Sequence, residues 1–148
     1  MIPLRGRAEI AGRLGLAAAE RILLVEAPPE FETAVRDAVA PGQELRSTEE
    51  RGLRAVKERY DLIVLWQESR VGSRAVLDVA VKRLAPGGRL WIATALRKVS
   101  GPRTPAIHRL EFADLKKAFE KSGLTPVGEA RLSAWHVAYG FAAAGHST

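Results

Sequence analysis

The chain contains no cysteine among its 148 residues. That absence removes disulfides, thiolate metal sites and cysteine nucleophiles together. It also lacks any long apolar run. Its most apolar stretches, Leu23–Ala27 and Leu62–Trp66, are about a strand long, far short of the roughly 20 residues that cross a bilayer. Arg5 and Arg7 resemble a charged leader start, but Glu9, Arg13 and Glu20 break any apolar run after them, so no secretion signal is read and a soluble, cytoplasmic protein is expected. His108, His136 and His146 have no metal-ligand spacing, so no metal is expected. No Ser-His-Asp arrangement, phosphate-cradling glycine loop or zinc signature is present.

What is there is the material of a packed core. Hydrophobic residues make up 47% of the chain and charged residues 27%, a globular composition whose length fits one domain over residues 1–148. The formal charge of +6 brings anionic partners into consideration. Arginine far outnumbers lysine and alanine is abundant, a compositional bias that gives the same charge with no function behind it.

Ile10, Leu14 and Ala18 stand at four-residue spacing, which predicts a short helix over residues 7–18. Arg21-Ile22-Leu23-Leu24-Val25-Glu26 is a continuous apolar run closed by an acid, the pattern of a strand buried on both faces in a parallel sheet. Pro28-Pro29 stops it; Phe31, Val35, Ala38 and Val39 then repeat at helical spacing until Pro41-Gly42. A weak second strand is read at Glu44–Ser47, followed by a helix with Thr48 as N-cap and acids in its first turn. Asp61–Trp66 is the clearest strand. Val71–Ala85 follows as an amphipathic helix, ended by Pro86-Gly87-Gly88 with a glycine for the left-handed C-terminal turn. Arg89–Ala95 is a strand and Ala113–Ser122 a helix closed by Gly123. Pro126–Leu132 and Trp135–Ala143 are too close for a helix between them and predict an antiparallel hairpin at the sheet edge. The order β-α-β-α-β-α-β-α-β-β specifies an α/β fold: an open, doubly wound, mostly parallel sheet.

Several of these pieces resemble class I S-adenosylmethionine-dependent methyltransferases. Tyr60–Leu65 ("YDLIVL") resembles their fourth strand, Leu84–Ile92 ("LAPGGRLWI") the turn into their fifth, and the terminal hairpin their sixth and seventh. With "ERILLVEAPPEF", "YDLIVLWQESR" and "SAWHVAYGF", the chain from about Leu14 to Phe141 resembles a family of small bacterial proteins of unknown function built on a shortened methyltransferase sheet. Such enzymes end their first strand in acid-x-Gly-x-Gly, so that bare backbone can approach the cofactor's amino-acid end. The matching stretch here is Glu26-Ala27-Pro28-Pro29-Glu30: the acid is kept, the glycines are not, and two prolines remove two N–H donors. The family also holds the ribose hydroxyls with an acid at the end of strand two, whereas this strand reads Leu45-Arg46-Ser47 with Glu49 only beyond it. The short segment after it implies that one strand–helix unit is missing.

Ligands of open α/β sheets sit beyond the carboxyl ends of the strands, where the strand order reverses. That rule gathers Glu26–Phe31, Arg46–Glu49, Trp66–Arg70 and Leu96–Arg109 onto one rim. Arg70, Arg97, Lys98 and Arg103 are candidates to clamp a phosphate or carboxylate; the plainer reading is a solvated loop in an arginine-rich chain. Glu68 and Ser69 follow the central strand, where Glu68 has the chemistry of a base, or else Ser69 merely caps the next helix. His136 alternates with Trp135 and reads as a partly exposed edge-strand residue. Trp66, at a strand end, is the tryptophan placed to line a pocket. No recognition helix, aromatic sheet platform or zinc finger marks a nucleic-acid reader, so only nonspecific, salt-sensitive nucleic-acid binding stands as a third reading.

The sequence reading is thus a methyltransferase-like domain with no assigned catalytic residue and no cofactor, binding a small anionic ligand or a protein partner at the rim. The alternative is an S-adenosylmethionine-dependent methyltransferase with an altered pocket, in which Glu26, Pro28 and Trp66 contact the cofactor.

Overall fold

The computed structural model describes residues 12, 14–67, 73–95, 110–132 and 136–143. Within them a 3-10 turn at Leu16–Ala18 leads into β1 (Arg21–Val25), α1 (Pro29–Ala38), β2 (Glu44–Thr48), α2 (Glu50–Ala55), β3 (Tyr60–Trp66), α3 (Ser73–Lys82), β4 (Leu84–Ala95), α4 (Phe112–Glu120), β5 (Thr125–Arg131) and β6 (His136–Ala142). The strands form one sheet in the order β2-β1-β3-β4-β6-β5. β1, β2, β3 and β4 run parallel, and β6 lies antiparallel to both β4 and β5. The expected α/β architecture, with its closing hairpin at one edge, is the one observed.

The continuous apolar runs explain the layers. Side chains alternate across a strand, so a strand apolar at every position needs cover on both faces. Leu23, Val25, Ile63, Leu65, Leu90 and Ile92 face one core with Leu53, Leu77, Leu115 and Phe119 from α2, α3 and α4. Ile22, Leu24, Leu62, Val64, Trp66 and Trp91 face the other with Phe31 and Val35 from α1 and Leu14 and Leu16 before β1. Each fully buried large apolar side chain contributes about 1.5–3 kcal/mol. β2 lies at the sheet margin with no fully buried residue, which is why its apolar pattern is weak. Arg21–Glu44 and Arg46–Glu58 ion pairs, at 3.2 and 3.8 Å, lie along it.

Three local expectations are corrected. Pro86-Gly87-Gly88 does not end the third helix: α3 stops at Lys82, Leu84 already pairs with Tyr60, and the next pair is Leu62 with Arg89. The turn is a bulge inside β4. Gly87 takes φ +75° there, and a Cβ on Gly88 would lie 2.8 Å from the Ala85 carbonyl oxygen, so the glycines serve the bulge. Thr48 is not a helix cap, because it pairs with Val25 as the last residue of β2, and Glu49 takes the N-cap position. Of the helix expected over residues 7–18, residues 7–11 and 13 lie outside the described residues; Gly12 and Leu14 are helical, and Gly15, at φ +77°, breaks the helix before the 3-10 turn.

The amino-terminal end of the sheet is tied by side chains. One Asp61 carboxylate oxygen accepts the N–H groups of Glu20 and Arg21, each at 3.0 Å, joining β3 to the entry of β1. The Gln43 amide donates to the carbonyls of Leu16 and Ala19 and accepts from Ala40 N–H.

Two substitutions test this packing. A Cβ at Gly140 would lie 2.8 Å from three ring carbons of buried Trp91, so Gly140→Ala should lower unfolding free energy by about 1–3 kcal/mol in urea titrations. Gly12→Ala, which meets nothing within 4 Å, is the control and should not lower it. Asp61→Ala orphans two backbone donors at a partly exposed site and should cost about 1–2 kcal/mol in the same titration.

Candidate functional site

α1, between β1 and β2, packs on one face of the sheet and α2, between β2 and β3, on the other, and the strand order reverses at β1–β3, the point beyond whose carboxyl ends open α/β sheets hold ligands in a crevice. At the end of β1 the chain turns through Glu26, whose φ of +57° is the one positive value at a non-glycine among the described residues. Such a conformation is unfavourable for a side-chain-bearing residue and is held here by two bonds. Glu26 N–H donates to the Thr48 carbonyl at 2.9 Å, extending the β1–β2 ladder by one step. The Glu26 carboxylate accepts the Glu50 N–H at 3.0 Å and so caps the first turn of α2.

Pro28 follows as the extended N-cap of α1 and Pro29 as its first residue, a position that proline suits because its missing N–H has no partner in a helix anyway. The Glu32 N–H closes the first turn onto the Pro28 carbonyl at 3.0 Å. The amides of Glu30 and Phe31 are the donors left at the helix mouth, in the positive half of the helix dipole.

An aromatic floor lies under this rim. Phe31 is fully buried and meets Trp66 edge-on, with centroids 5.2 Å apart. Trp66 in turn lies 5.1 Å from the His136 ring. The Trp66 indole Nε1 is buried and has no hydrogen-bond partner, although a buried donor ordinarily has one. On the other face of the sheet, the Thr94 hydroxyl donates to the Leu110 carbonyl at 2.8 Å and fixes the chain before α4 against the end of β4.

Glu26 and Pro28 follow the end of β1 and Trp66 is the last residue of the neighbouring β3, so all three stand at the carboxyl side of the sheet. Glu68, Ser69, Arg70, Arg97, Lys98 and Arg103 lie outside the described residues. His136 is corrected. It is only 3% exposed, because β6 is enclosed between β4 and β5 and the hairpin's outer strand is β5. The hairpin's own pattern carries the signal: Pro126, Glu129 and Arg131 mark β5 as the outer strand, whereas β6 is apolar at most positions. Glu49 is the residue sequence reasoning set aside. β2 extends to Thr48, so Glu49 directly follows the last paired residue of the strand next to β1, is exposed, and makes no side-chain cap bond to α2. One residue thus separates the expected strand end at Ser47 from Glu49, and that residue, Thr48, is itself paired in the sheet. Among the described residues no group of histidines and carboxylates could hold a metal ion, and no helix is long and apolar enough to cross a membrane.

The sequence matches no protein-family model and no curated relative. Similarity appears in the fold. The N-methyltransferase NodS from Bradyrhizobium japonicum WM9 superposes with a TM-score of 0.59 at 19% identity, over 93% of this chain and 94% of that one. A SAM-dependent methyltransferase from Aquifex aeolicus gives 0.68 at 12% identity, over 92% and 88%. Magnesium protoporphyrin IX methyltransferase from Synechocystis PCC 6803, solved with bound S-adenosylhomocysteine, gives 0.60 at 10% identity, over 93% and 80%. With its mostly parallel sheet, its reversal of strand order at β1–β3 and its antiparallel β4-β6-β5 edge, the chain has the fold of the class I S-adenosylmethionine-dependent methyltransferases.

Proposed function

We propose that the crevice takes S-adenosylmethionine or its demethylated product, and that the chain acts as a methyltransferase with an altered cofactor turn. The observation that carries this reading is Glu49. The sheet register sets its carboxylate, exposed, at the end of the strand beside β1, where the resemblance to class I enzymes implies an acid on the ribose hydroxyls. Two vicinal hydroxyls give one carboxylate two donors, a charge-assisted pair stronger than neutral bonds. The structural neighbours that bear S-adenosylhomocysteine support the same reading. Pro28 and Pro29 weaken the amino-acid end of the site without removing it. They subtract two amide donors and leave those of Glu30 and Phe31 at the mouth of α1 for a carboxylate.

A second reading has an observation of its own. Glu26 spends its carboxylate on the Glu50 N–H, and the turn after it is built of prolines in place of glycines. These features favour a non-catalytic domain that binds a small anion or a protein partner at the rim, with Glu68, Ser69, Arg70, Arg97, Lys98 and Arg103 as its contacts.

Isothermal titration calorimetry of the full chain with S-adenosylhomocysteine separates the two. The methyltransferase reading expects saturable one-to-one binding, competed by S-adenosylmethionine. Glu49→Ala should weaken it about tenfold or more, worth about 1.4 kcal/mol, with the far-UV spectrum and melting temperature retained because the side chain is exposed. Replacing Pro28 and Pro29 together by glycine should tighten it. Absence of binding up to millimolar ligand, with inorganic phosphate binding lost in an Arg70/Arg97/Lys98/Arg103 alanine variant, would overturn the methyltransferase reading in favour of the second.

A further inference from the structure

We infer that the cleft at the amino-terminal end of the sheet, between the bulge in β4 and the 3-10 turn before β1, binds a small zwitterion: an ammonium group and a carboxylate on one compact apolar body. About 13 Å of β3, from Leu62 to Trp66 at roughly 3.3 Å per residue, separates it from the crevice at the carboxyl ends.

The cleft exists because two segments depart from regular structure at this end. Residues 85–88 bulge out of β4 between the Tyr60–Leu84 and Leu62–Arg89 pairs, and the chain before β1 turns at Gly15 into the 3-10 turn. Between them lies a space of about 290 Å³, with Leu14, Ala18, Leu62 and Pro86 in its apolar wall. Asp61 and Arg89 are the charged side chains among its lining residues. That volume is just below the roughly 300–1,000 Å³ typical of small-molecule sites, which restricts the occupant to about the size of an amino acid.

The two charges line one space and do not meet. Among the described residues neither Arg89 nor Asp61 forms an ion pair. The Arg89 guanidinium lies against the backbone of Gly15, where a Cβ would sit 3.4 Å from Nη1, so the cation reaches from β4 to the segment before β1. Asp61 is fixed by its backbone bonds: Oδ2 accepts the Glu20 and Arg21 N–H groups, while Oδ1 accepts none among the described residues. A ligand carboxylate on Arg89 makes the charge-assisted, bidentate contact that a guanidinium favours, and an ammonium on Asp61 is its counterpart. A simple anion would gain Arg89 and be repelled by Asp61, and a simple cation would meet the reverse. A molecule carrying both charges on a short apolar body satisfies the two groups and the wall between them.

The test follows nitrogen–proton correlation spectra of the full chain titrated with L-leucine, L-leucinamide and 4-methylpentanoate. The three share one apolar body and carry both charges, the ammonium alone and the carboxylate alone. Leucine should give saturable shifts at Gly15, Ala18, Gly87 and Arg89, undiminished by saturating S-adenosylhomocysteine. Each analogue should bind about tenfold more weakly, the loss expected of one charge-assisted bond. Arg89→Gln should weaken leucine and 4-methylpentanoate about tenfold and leave leucinamide unchanged. Asp61→Asn, whose amide oxygen still accepts the Glu20 and Arg21 N–H groups, should weaken leucine and leucinamide and leave 4-methylpentanoate no weaker. Arg89 is exposed, so Arg89→Gln carries the test alone should Asp61→Asn disturb the entry to β1. No saturable shift, shifts confined to Glu26–Phe31, equal binding of the three probes, or unchanged leucine affinity in Arg89→Gln would overturn the inference. None of these outcomes decides whether S-adenosylhomocysteine binds in the crevice.

Discussion

The parallel pairing of β1 with β3 is the constraint on which the rest of the molecule depends. Four consecutive residues of β1 and five of β3 are buried, so this ribbon presents apolar surface above and below and is stable only with a layer on each side. Parallel neighbours cannot be joined by a tight turn; each connection must cross over the sheet, and here each carries a helix. The first crossover covers one face and the next covers the other. A reversal of strand order at the centre of the sheet follows from covering both faces, and the crevice follows from the reversal. Burial of the two strands thus fixes where a ligand can bind before any binding residue is considered.

The turn after β1 departs from the pattern of the class I fold while the strands and helices around it are kept. A methyltransferase-type turn brings backbone against the ligand through glycines; this chain uses a left-handed glutamate and two prolines. The glutamate is held in place by bonds to Thr48 and Glu50, which tie the ends of β1 and β2 and the start of α2 into one unit. The prolines fix the entry to α1. The result is a stiffer rim with fewer amide donors, and it keeps Glu49 beside the crevice. The aromatic floor of Phe31, Trp66 and His136 seals the rim from below, with one indole donor left unpaired.

The opposite margin of the sheet follows a different economy. β5 is an outer strand, and an unpaired strand edge invites association with other chains. Pro126, the irregularity between Pro126 and Gly128, and the charges of Glu129 and Arg131 interrupt that edge. The same features leave a space that α4 does not fill. A cleft lined by Phe112, Pro126, Gly128, Glu129 and Tyr139 arises where this edge meets the start of α4.

The sequence by itself determined the α/β class, the order of elements, the hairpin ending and the identity of the strands. All of these rest on local periodicity: apolar runs of strand length, helical spacing between them, and prolines and glycines at the breaks. It also marked Glu26, Pro28 and Trp66 as rim residues, because the end of a strand is visible in the pattern. Tertiary structure alone decided the remainder. Glu49 gained its position only through the pairing of Val25 with Thr48, since the half-exposed pattern of β2 does not say where the strand stops. The glycines after Pro86 became a bulge because Leu84 had already joined the sheet, and the cleft at Phe112 depends on how far α4 reaches across the hairpin. Each of these is set by contacts between segments distant in the chain, and local periodicity carries no record of which segment is the neighbour.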